Sequence, residues 1–192
     1  MKRRLPATVW KLGWVSFFAD IASEMVYPLI PLFLTGPLGA PKVVLGLVEG
    51  VAESVVSFMK GWSGIGSDRR GARVPYIRAG YGLSAIGKPL LGLAYAWPLA
   101  LVARSVDRVG KGLRTTARDA LIIDAVESGQ KGEAFGLHRS MDTAGALVGV
   151  AIAAAIVAFL GSNLTAVSYR NIFLLAAIPG LISVAITLRS RI

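Results

Sequence analysis

The chain has 192 residues, of which 54% are hydrophobic and only 17% are charged. About a quarter of the residues of a water-soluble domain are charged, so this composition excludes an ordinary globule in water. The absence of cysteine excludes disulfides, thiolate metal sites and thiol redox chemistry, and we expect neither a cofactor nor a metal. The net charge of +10 would suggest nucleic acid in a soluble protein, but the basic residues cluster between alternate apolar blocks, which argues against that partner.

Six apolar stretches, each long enough to cross the hydrocarbon core of a bilayer as a helix, fill the chain and leave short loops. We therefore predict an all-α, polytopic membrane protein that forms a single domain over residues 1–192. The predicted transmembrane helices are helix 1 at 9–34, helix 2 at 43–66, helix 3 at 74–94, helix 4 at 97–118, helix 5 at 134–160 and helix 6 at 167–188.

Predicted helix 1 begins after Met-Lys-Arg-Arg, a start that resembles a signal peptide. Asp20 and Glu24 interrupt its apolar run, and the run continues past a usual cleavage point, so we interpret it as a retained first helix. The two carboxylates are four residues apart and share one face about halfway across. Pro28 and Pro31 lack a backbone N–H, which predicts a kinked or loosened outer end.

Predicted helix 2 repeats the acidic spacing with Glu49 and Glu53, and Lys60 follows seven residues later. Gly46 and Gly50 form a small-xxx-small pair, a pattern that lets a neighbouring helix approach closely. A charged side chain at bilayer depth costs at least about 2.5–3.5 kcal/mol and by default indicates function. The acidic pairs of the first two helices are therefore candidates for a substrate or proton pathway.

Predicted helix 4 carries Arg104, Arg108 and Lys111 on one stripe, with Asp107 beside it. If the N-terminus lies inside, helix 1 runs outward and helices 2 and 4 run inward. Glu24, Glu53 and Arg108 then lie at a similar depth, close to the middle of the membrane. An acidic face opposite a basic stripe predicts a polar cavity. Two interpretations stay open: ion pairs that only hold the bundle together, or groups that bind a polar solute and pass protons.

Predicted helix 5 places His138 and Asp142 four residues apart on its cytoplasmic half. A lone histidine near a helix end is often a capped or interfacial residue, whereas a carboxylate one turn away permits a proton relay. Gly145 and Gly149 are a second small-xxx-small pair. The candidate pathway residues are Asp20, Glu24, Glu49, Glu53, Arg104, Arg108, Lys111 and Asp142.

Orientation follows from the lysines and arginines. With the N-terminus inside, fourteen lie in cytoplasmic segments and two, Lys42 and Arg170, in external loops. The positive-inside rule then predicts that both termini lie on the cytoplasmic side. The fourteen are Lys2, Arg3, Arg4, Lys11, Arg69, Arg70, Arg73, Arg78, Arg114, Arg118, Lys131, Arg139, Arg189 and Arg191.

Three segments together resemble the signatures of the major facilitator superfamily. Residues 64–73 read GIGSDRRGAR, which matches the pattern G-x-x-x-D-R-x-G-x-R in the turn between helices 2 and 3. Arg108 followed by Gly110 resembles the helix 4 signature, and residues 145–149 resemble the glycine-rich stretch of helix 5. The run 17–28, FFADIASEMVYP, is also similar to a largely uncharacterised prokaryotic branch of these permeases. The resemblance covers essentially the whole chain.

The resemblance implies a gating role for the loop residues Gly64, Asp68, Arg69, Gly71 and Arg73. In the family this loop latches two halves together in the outward-facing state. Physically, a carboxylate just after a helix end can cap backbone N–H groups of a neighbouring helix, and nearby arginines can hold it. The alternative is that these arginines only set the topology.

Two departures from the family pattern bear on the substrate. Lys111 stands where the family commonly has glutamine, and Val150 stands where it commonly has a proline that is associated with export. The missing proline argues against efflux. The extra lysine beside Arg108 favours anionic or zwitterionic substrates.

Family members have twelve helices in two six-helix halves, which implies that this chain works with a second six-helix unit. Three explanations stay open: the sequence is an N-terminal fragment of a twelve-helix protein, the C-terminal half is a separate chain, or a second copy completes a homodimer. The resemblance also implies the cytoplasmic (inner) membrane of a prokaryote. The resemblance implies secondary active transport of a small polar, anionic or amphipathic solute by alternating access, as a proton-coupled symporter or antiporter. The other partners are membrane lipid and the small-molecule substrate. The alternative is a non-transporting membrane scaffold or assembly subunit.

An enzyme and a channel are both disfavoured. The sequence has no H-E-x-x-H motif, no cysteine and one histidine, so metal and nucleophilic chemistry lack their parts. A pore would need repeated polar rings from several subunits, and the sequence does not contain that pattern.

Overall fold

The computed structural model describes residues 4–161 and 165–189, and these contain helices and no strand. The predicted loop residues Ser162 and Asn163, and the basic residues Lys2, Arg3 and Arg191 of the topology argument, lie outside the described residues. The helices are α1 (Ala7–Val26), α2 (Ile30–Thr35), α3 (Lys42–Arg70), α4 (Val74–Gly92), α5 (Trp97–Ala125), α6 (Lys131–Leu160), α7 (Ala166–Leu175) and α8 (Ala177–Arg189). Single 3₁₀ turns lie at Tyr27–Leu29 and Ser128–Gln130.

These helices form six rods, because α1 with α2 and α7 with α8 each continue one another. Three rods, 7–35, 128–160 and 166–189, are long and apolar enough to cross a membrane. The prediction of six membrane spans therefore stays a prediction for the other three rods. Two of them, α3 and α5, carry most of the charges that were placed at membrane depth.

Prolines interrupt the first and last rods. The backbone passes through the 3₁₀ turn at Tyr27–Leu29, beside Pro28 and Pro31, before α2 begins. The last rod breaks at Ala176, where Pro179 has no N–H to bond the carbonyl group of Leu175. The predicted loosening of the outer part of helix 1 is thus present as a change of helix type.

Glycines set the closest helix contacts. A Cβ added to Gly149 of α6 would lie 2.6 Å from the carbonyl oxygen of Ile21 in α1, so these two backbones touch. Gly80 of α4 and Gly110 of α5 meet in the same way. Gly46 and Gly50 differ, since a Cβ on either would have no neighbour within 4 Å. Their predicted packing role is wrong for the contacts among the described residues.

Two helices extend beyond their predicted ends. α3 continues to Arg70 and stops at Gly71, which adopts the left-handed conformation with φ of 60°. Asp68 therefore lies in the last turn of α3 and not after it. α5 continues to Ala125, about two turns past the predicted end. This extension places Arg114 and Arg118, 3% and 7% exposed, inside the bundle. The topology argument counts both among the cytoplasmic charges, and the structure buries them against neighbouring helices.

Candidate functional site

Two arginine–glutamate pairs join α3 and α5. Arg104 donates from Nε to Oε1 of Glu49 over 3.2 Å and from Nη2 to Oε2 over 3.1 Å, a two-pronged contact. One turn along each helix, Arg108 Nη2 lies 3.6 Å from Glu53 Oε1. The structure thus brings four predicted pathway residues together in two pairs. The Glu49 side chain is 26% exposed, whereas that of Glu53 is 64% exposed.

Tyr27 joins α1 to these pairs. The Arg104 and Arg108 guanidinium carbons lie 5.1 and 5.8 Å from the centre of its ring. Both distances suit a cation–π contact. Tyr27 belongs to the 3₁₀ turn, so the proline-linked interruption of the first rod positions this ring.

A buried ion pair between α4 and α5 was not predicted. Lys88 Nζ lies 3.1 Å from Asp107 Oδ1 and donates to the carbonyl oxygen of Ser84 over 3.0 Å. Arg104 Nη1 lies 3.6 Å from the other oxygen of Asp107. The adjoining void of about 10 Å³ has room for no more than about one water molecule. This group therefore acts as a structural connection between helices.

The main polar cavity has a volume of about 380 Å³ and lies between α1, α3, α5 and α6. We call it the polar cavity from here on. Its lining includes three predicted pathway carboxylates, from Asp20, Glu24 and Asp142, and the predicted Lys111. The full lining is Asp20, Glu24, Lys60, Lys111, Arg114, Thr115, Arg118, Arg139, Asp142, Thr143 and Ala146.

Arg114 is the most enclosed cation of this lining. Its Nη2 atom lies 4.0 Å from Asp20 Oδ1, beyond hydrogen-bond distance, and its guanidinium carbon lies 4.4 Å from the centre of the Tyr81 ring. Its Nη1 atom is buried and has no hydrogen-bond partner in the part of the chain that the structure describes. The sequence contained a signal for this residue and for Arg118, because both continue the helical stripe of Arg104, Arg108 and Lys111 for two more turns.

Asp142 forms the other end of the cavity. His138 Nδ1 and Arg139 Nη1 each lie 3.6 Å from Asp142 Oδ2, and Arg118 Nη1 lies 4.0 Å from Asp142 Oδ1. These are longer contacts than the Arg104–Glu49 pair. Asp142 Oδ1 is buried and finds no hydrogen-bond partner within residues 4–161 and 165–189, so the carboxylate can accept a further hydrogen bond.

His138 is buried in the bundle and is not interfacial, with 2% of its surface exposed. Its Nε2 atom lies 3.0 Å from the hydroxyl oxygen of Ser16. The same hydroxyl lies 2.9 Å from the Tyr81 oxygen and accepts a hydrogen bond of 2.9 Å from Arg118 Nη1. Ser16 thus connects α1 with α4, α5 and α6. The interpretation of His138 as a capped or interfacial residue is wrong, and its relay role stays a prediction.

The signature loop has its own polar network. Asp68 forms an ion pair with Arg73, as the sequence suggested for one of the loop arginines. Arg73 also donates to Ser67 Oγ over 2.9 Å and lies 3.5 Å from Asp124 Oδ2 at the end of α5. Arg70 instead donates to the Tyr76 hydroxyl over 3.3 Å. Gly64 packs against α5, where a Cβ would meet the Thr116 methyl group at 3.0 Å.

The bundle is all-helical over the described residues and carries charged side chains between its helices. The chain belongs to the major facilitator superfamily, whose sequence profile matches residues 12–191. An uncharacterized MFS-type transporter of Methanocaldococcus jannaschii is 34% identical over 181 residues, or 94% of this chain. An uncharacterized protein of Mycobacterium tuberculosis is 33% identical over 154 residues, or 78% of this chain.

The chain spans 44% and 36% of the lengths of these two relatives. A crystal structure of the peptide transporter POT matches with a TM-score of 0.81 over 97% of this chain and 38% of that chain. At 16% sequence identity this match shows a shared fold.

Proposed function

We propose that this chain is one six-helix half of a secondary active transporter that works by alternating access. The observation that supports this most strongly is the polar cavity, about 380 Å³ in the interior of a transporter fold. Binding sites for small molecules are typically about 300–1,000 Å³, so a small polar, anionic or amphipathic solute fits it.

Ion pairing for stability does not account for all of the charges. Arg104 and Lys88 have close carboxylate partners and explain how α5 is held to α3 and α4. In contrast, Lys60, Lys111 and Glu24 line the cavity, and none has an oppositely charged group within 4.0 Å among the described residues. Charges at membrane depth are costly, so three without a close partner favour a role with a ligand.

Proton coupling is supported by the two carboxylates of the cavity wall that have only distant partners. Asp20 lies 4.0 Å from Arg114, and Asp142 lies 3.6–4.0 Å from its three neighbours. Neither carboxylate is held by a short two-pronged contact, so each can exchange its counter-charge for a proton during a cycle. Acidic and histidine chains serve as proton relays in transporters.

A second six-helix unit covers the open face in this proposal. The Glu53 side chain is 64% exposed on α3, and Gly46 and Gly50 of the same helix present open space. Exposure of the Glu53 carboxylate to lipid would be unfavourable, whereas the two glycines allow a helix to pack closely against this face. The unit is a second copy of the chain in a symmetric dimer or a separate C-terminal half. Both termini lie inside, in the cytoplasmic membrane of a prokaryote.

The test is proton movement driven by a solute. Proteoliposomes that contain the assembled protein and an internal pH-sensitive dye are challenged with pools of organic acids, amino acids, sugars and amines. We expect one pool to change the internal pH, and we expect Asp20→Asn to abolish the change. Glu133→Gln, on the exposed first turn of α6, is the matched control. A scaffold would give no solute-dependent proton movement with any pool, and that result would contradict proton-coupled transport.

A further inference from the structure

We propose that the polar cavity binds an organic anion, whose carboxylate or phosphoryl group replaces Asp20 as the counter-charge of Arg114. This inference rests on the proposed function, since it names the substrate class of the same site. It depends on four features of the cavity: its charge balance, the incomplete pairing of Arg114, the position of Lys111 one turn away, and the position of Asp20 beside the arginine.

The charge balance of the lining is positive. Five of its side chains are cationic and three are carboxylates. α5 alone supplies Lys111, Arg114 and Arg118, and α3 and α6 each add one more cation. A cationic ligand would meet this excess directly, and a neutral ligand would leave it uncompensated. An anionic group is the ligand that neutralises it.

The arginines of α5 differ in how completely they are paired. Arg104 makes a two-pronged contact to Glu49, and Arg118 donates to Ser16 and to Asp119, the latter over 3.0 Å. Arg114 makes neither kind of contact. Its Nη1 atom is buried without a hydrogen-bond partner, and Asp20 at 4.0 Å is its one carboxylate neighbour within that distance among the described residues. A buried, unsatisfied guanidinium N–H is unfavourable, so Arg114 gains more from a closer anionic partner than the fully paired Arg104 does.

Lys111 lies one helical turn from Arg114 and faces the same cavity. No carboxylate lies within 4.0 Å of it among the described residues. Its ammonium group is therefore free to take part in binding without breaking an existing ion pair. Arginine and lysine one turn apart form a common arrangement for holding carboxylate and phosphoryl groups, through a planar fork and a point charge respectively.

Asp20 competes with the ligand for Arg114. Because the Asp20–Arg114 contact is electrostatic and has no hydrogen bond, an incoming anion can displace the carboxylate from the arginine. Two substitutions should then change the affinity for the anion in opposite directions. Removing the cation weakens anion binding, whereas removing the competing carboxylate strengthens it. A purely structural ion pair would not give opposite effects of this kind.

The experiment measures binding to the full chain in nanodiscs of zwitterionic phosphatidylcholine by isothermal titration calorimetry. The anionic probes are inorganic phosphate, sulfate, succinate and glycerol 3-phosphate, and the matched probes are glycerol and ethanolamine. We expect the anions to bind and the matched probes not to bind. Arg114→Gln should weaken binding by about tenfold or more, the loss of roughly one charge-assisted contact. Asp20→Asn should tighten binding several-fold.

Two further variants keep the test decisive. Lys111→Gln removes a cation without leaving a carboxylate unpaired. We expect this variant to bind anions more weakly, so it tests the site even if Arg114→Gln does not fold. Arg170→Gln removes the same charge from α7, outside the cavity, and should bind anions like the wild type. In phosphatidylglycerol nanodiscs, loss of soluble-anion binding would assign the site to a lipid head group and overturn the substrate class.

Failure of this inference is separable from failure of transport. Absence of anion binding, equal binding of glycerol, or weaker binding in Asp20→Asn would overturn the inference. Uptake of an uncharged solute by proteoliposomes would then leave transport intact. Conversely, Arg114-dependent anion binding with neither solute uptake nor solute-driven proton movement would keep the anion site and reject the transport function.

Discussion

The two arginine–glutamate pairs between α3 and α5 give a comparison within one interface. Arg104 and Glu49 make two hydrogen bonds with side chains 6% and 26% exposed, whereas Arg108 and Glu53 lie 3.6 Å apart and Glu53 is 64% exposed. Both arginines lie over the same Tyr27 ring, so that contact largely cancels in the comparison. The difference in stability between the two arginine variants should therefore report the buried contacts of Arg104, to Glu49 and at 3.6 Å to Asp107, against the half-exposed Arg108–Glu53 pair.

We expect Arg104→Met to lower the free energy of unfolding by about 3 kcal/mol, the low end of the range for breaking a buried pair, because Glu49 retains some access to solvent. Loss of the Arg108–Glu53 pair in Arg108→Met should lower the free energy of unfolding by about 1 kcal/mol or less, since Glu53 can be solvated. The double variant Arg104→Met with Glu49→Met should recover most of the loss, because an apolar pair of similar volume leaves no charge unpaired.

Unfolding in mixed micelles by titration with sodium dodecyl sulfate, followed by tryptophan fluorescence, measures these differences. Each variant is prepared in the same detergent and compared with the wild type at the same pH. Equal losses for Arg104→Met and Arg108→Met would refute the reasoning, since burial and hydrogen bonding would then not decide the energy. A double variant as unstable as Arg104→Met alone would refute the account of the unpaired charge.

Three further predictions concern packing, function and topology. Gly149→Ala should destabilise the bundle by about 1–3 kcal/mol because its methyl group would overpack against α1, whereas Gly46→Ala should be neutral or slightly stabilising in the six-helix chain alone, where a Cβ meets no described residue; thermal unfolding of the unpaired chain in detergent compares them. Arg108→Ala should abolish solute-driven proton movement in proteoliposomes and leave the protein folded, and Arg108→Lys should restore little of it because lysine lacks the planar fork; normal transport by the lysine variant would contradict this role. With the N-terminus inside, Lys42→Cys should react with an impermeant thiol reagent added outside and Gly71→Cys should not; the reverse pattern would end the topology argument.

Patterns within one helix could be predicted from the sequence, and patterns between helices could be predicted only in part. The i, i+4 spacing of Glu49 with Glu53 and of Arg104 with Arg108 predicted two facing sets of charges, and the structure pairs them residue by residue. The contact of Gly149 with α1 also follows from a local motif. In each case the sequence motif itself specifies which face of the helix is involved.

Other features needed information that spacing does not contain. The Lys88–Asp107 pair depends on the rotation of α4 and α5 about their own axes. The sequence of either helix alone does not determine that rotation. Gly46 and Gly50 show that a small-xxx-small pair permits close helix packing but does not specify which helix packs against it. The topology argument counts Arg114 as a cytoplasmic charge, because a charge near a helix end is usually solvated. In the structure α5 continues to Ala125, and Arg114 lies in the wall of the polar cavity.

The central claim is that the polar cavity opens to each side of the membrane in turn. The native chain has no cysteine, so Ala146→Cys in the cavity lining provides a single reporter. The measurement is its rate of reaction with an impermeant maleimide in right-side-out and inside-out vesicles, with and without the solute found in the proton-movement screen. Alternating access predicts reaction from both sides, with the solute raising one rate and lowering the other. Reaction from one side only, at a rate that no solute changes, would contradict the account.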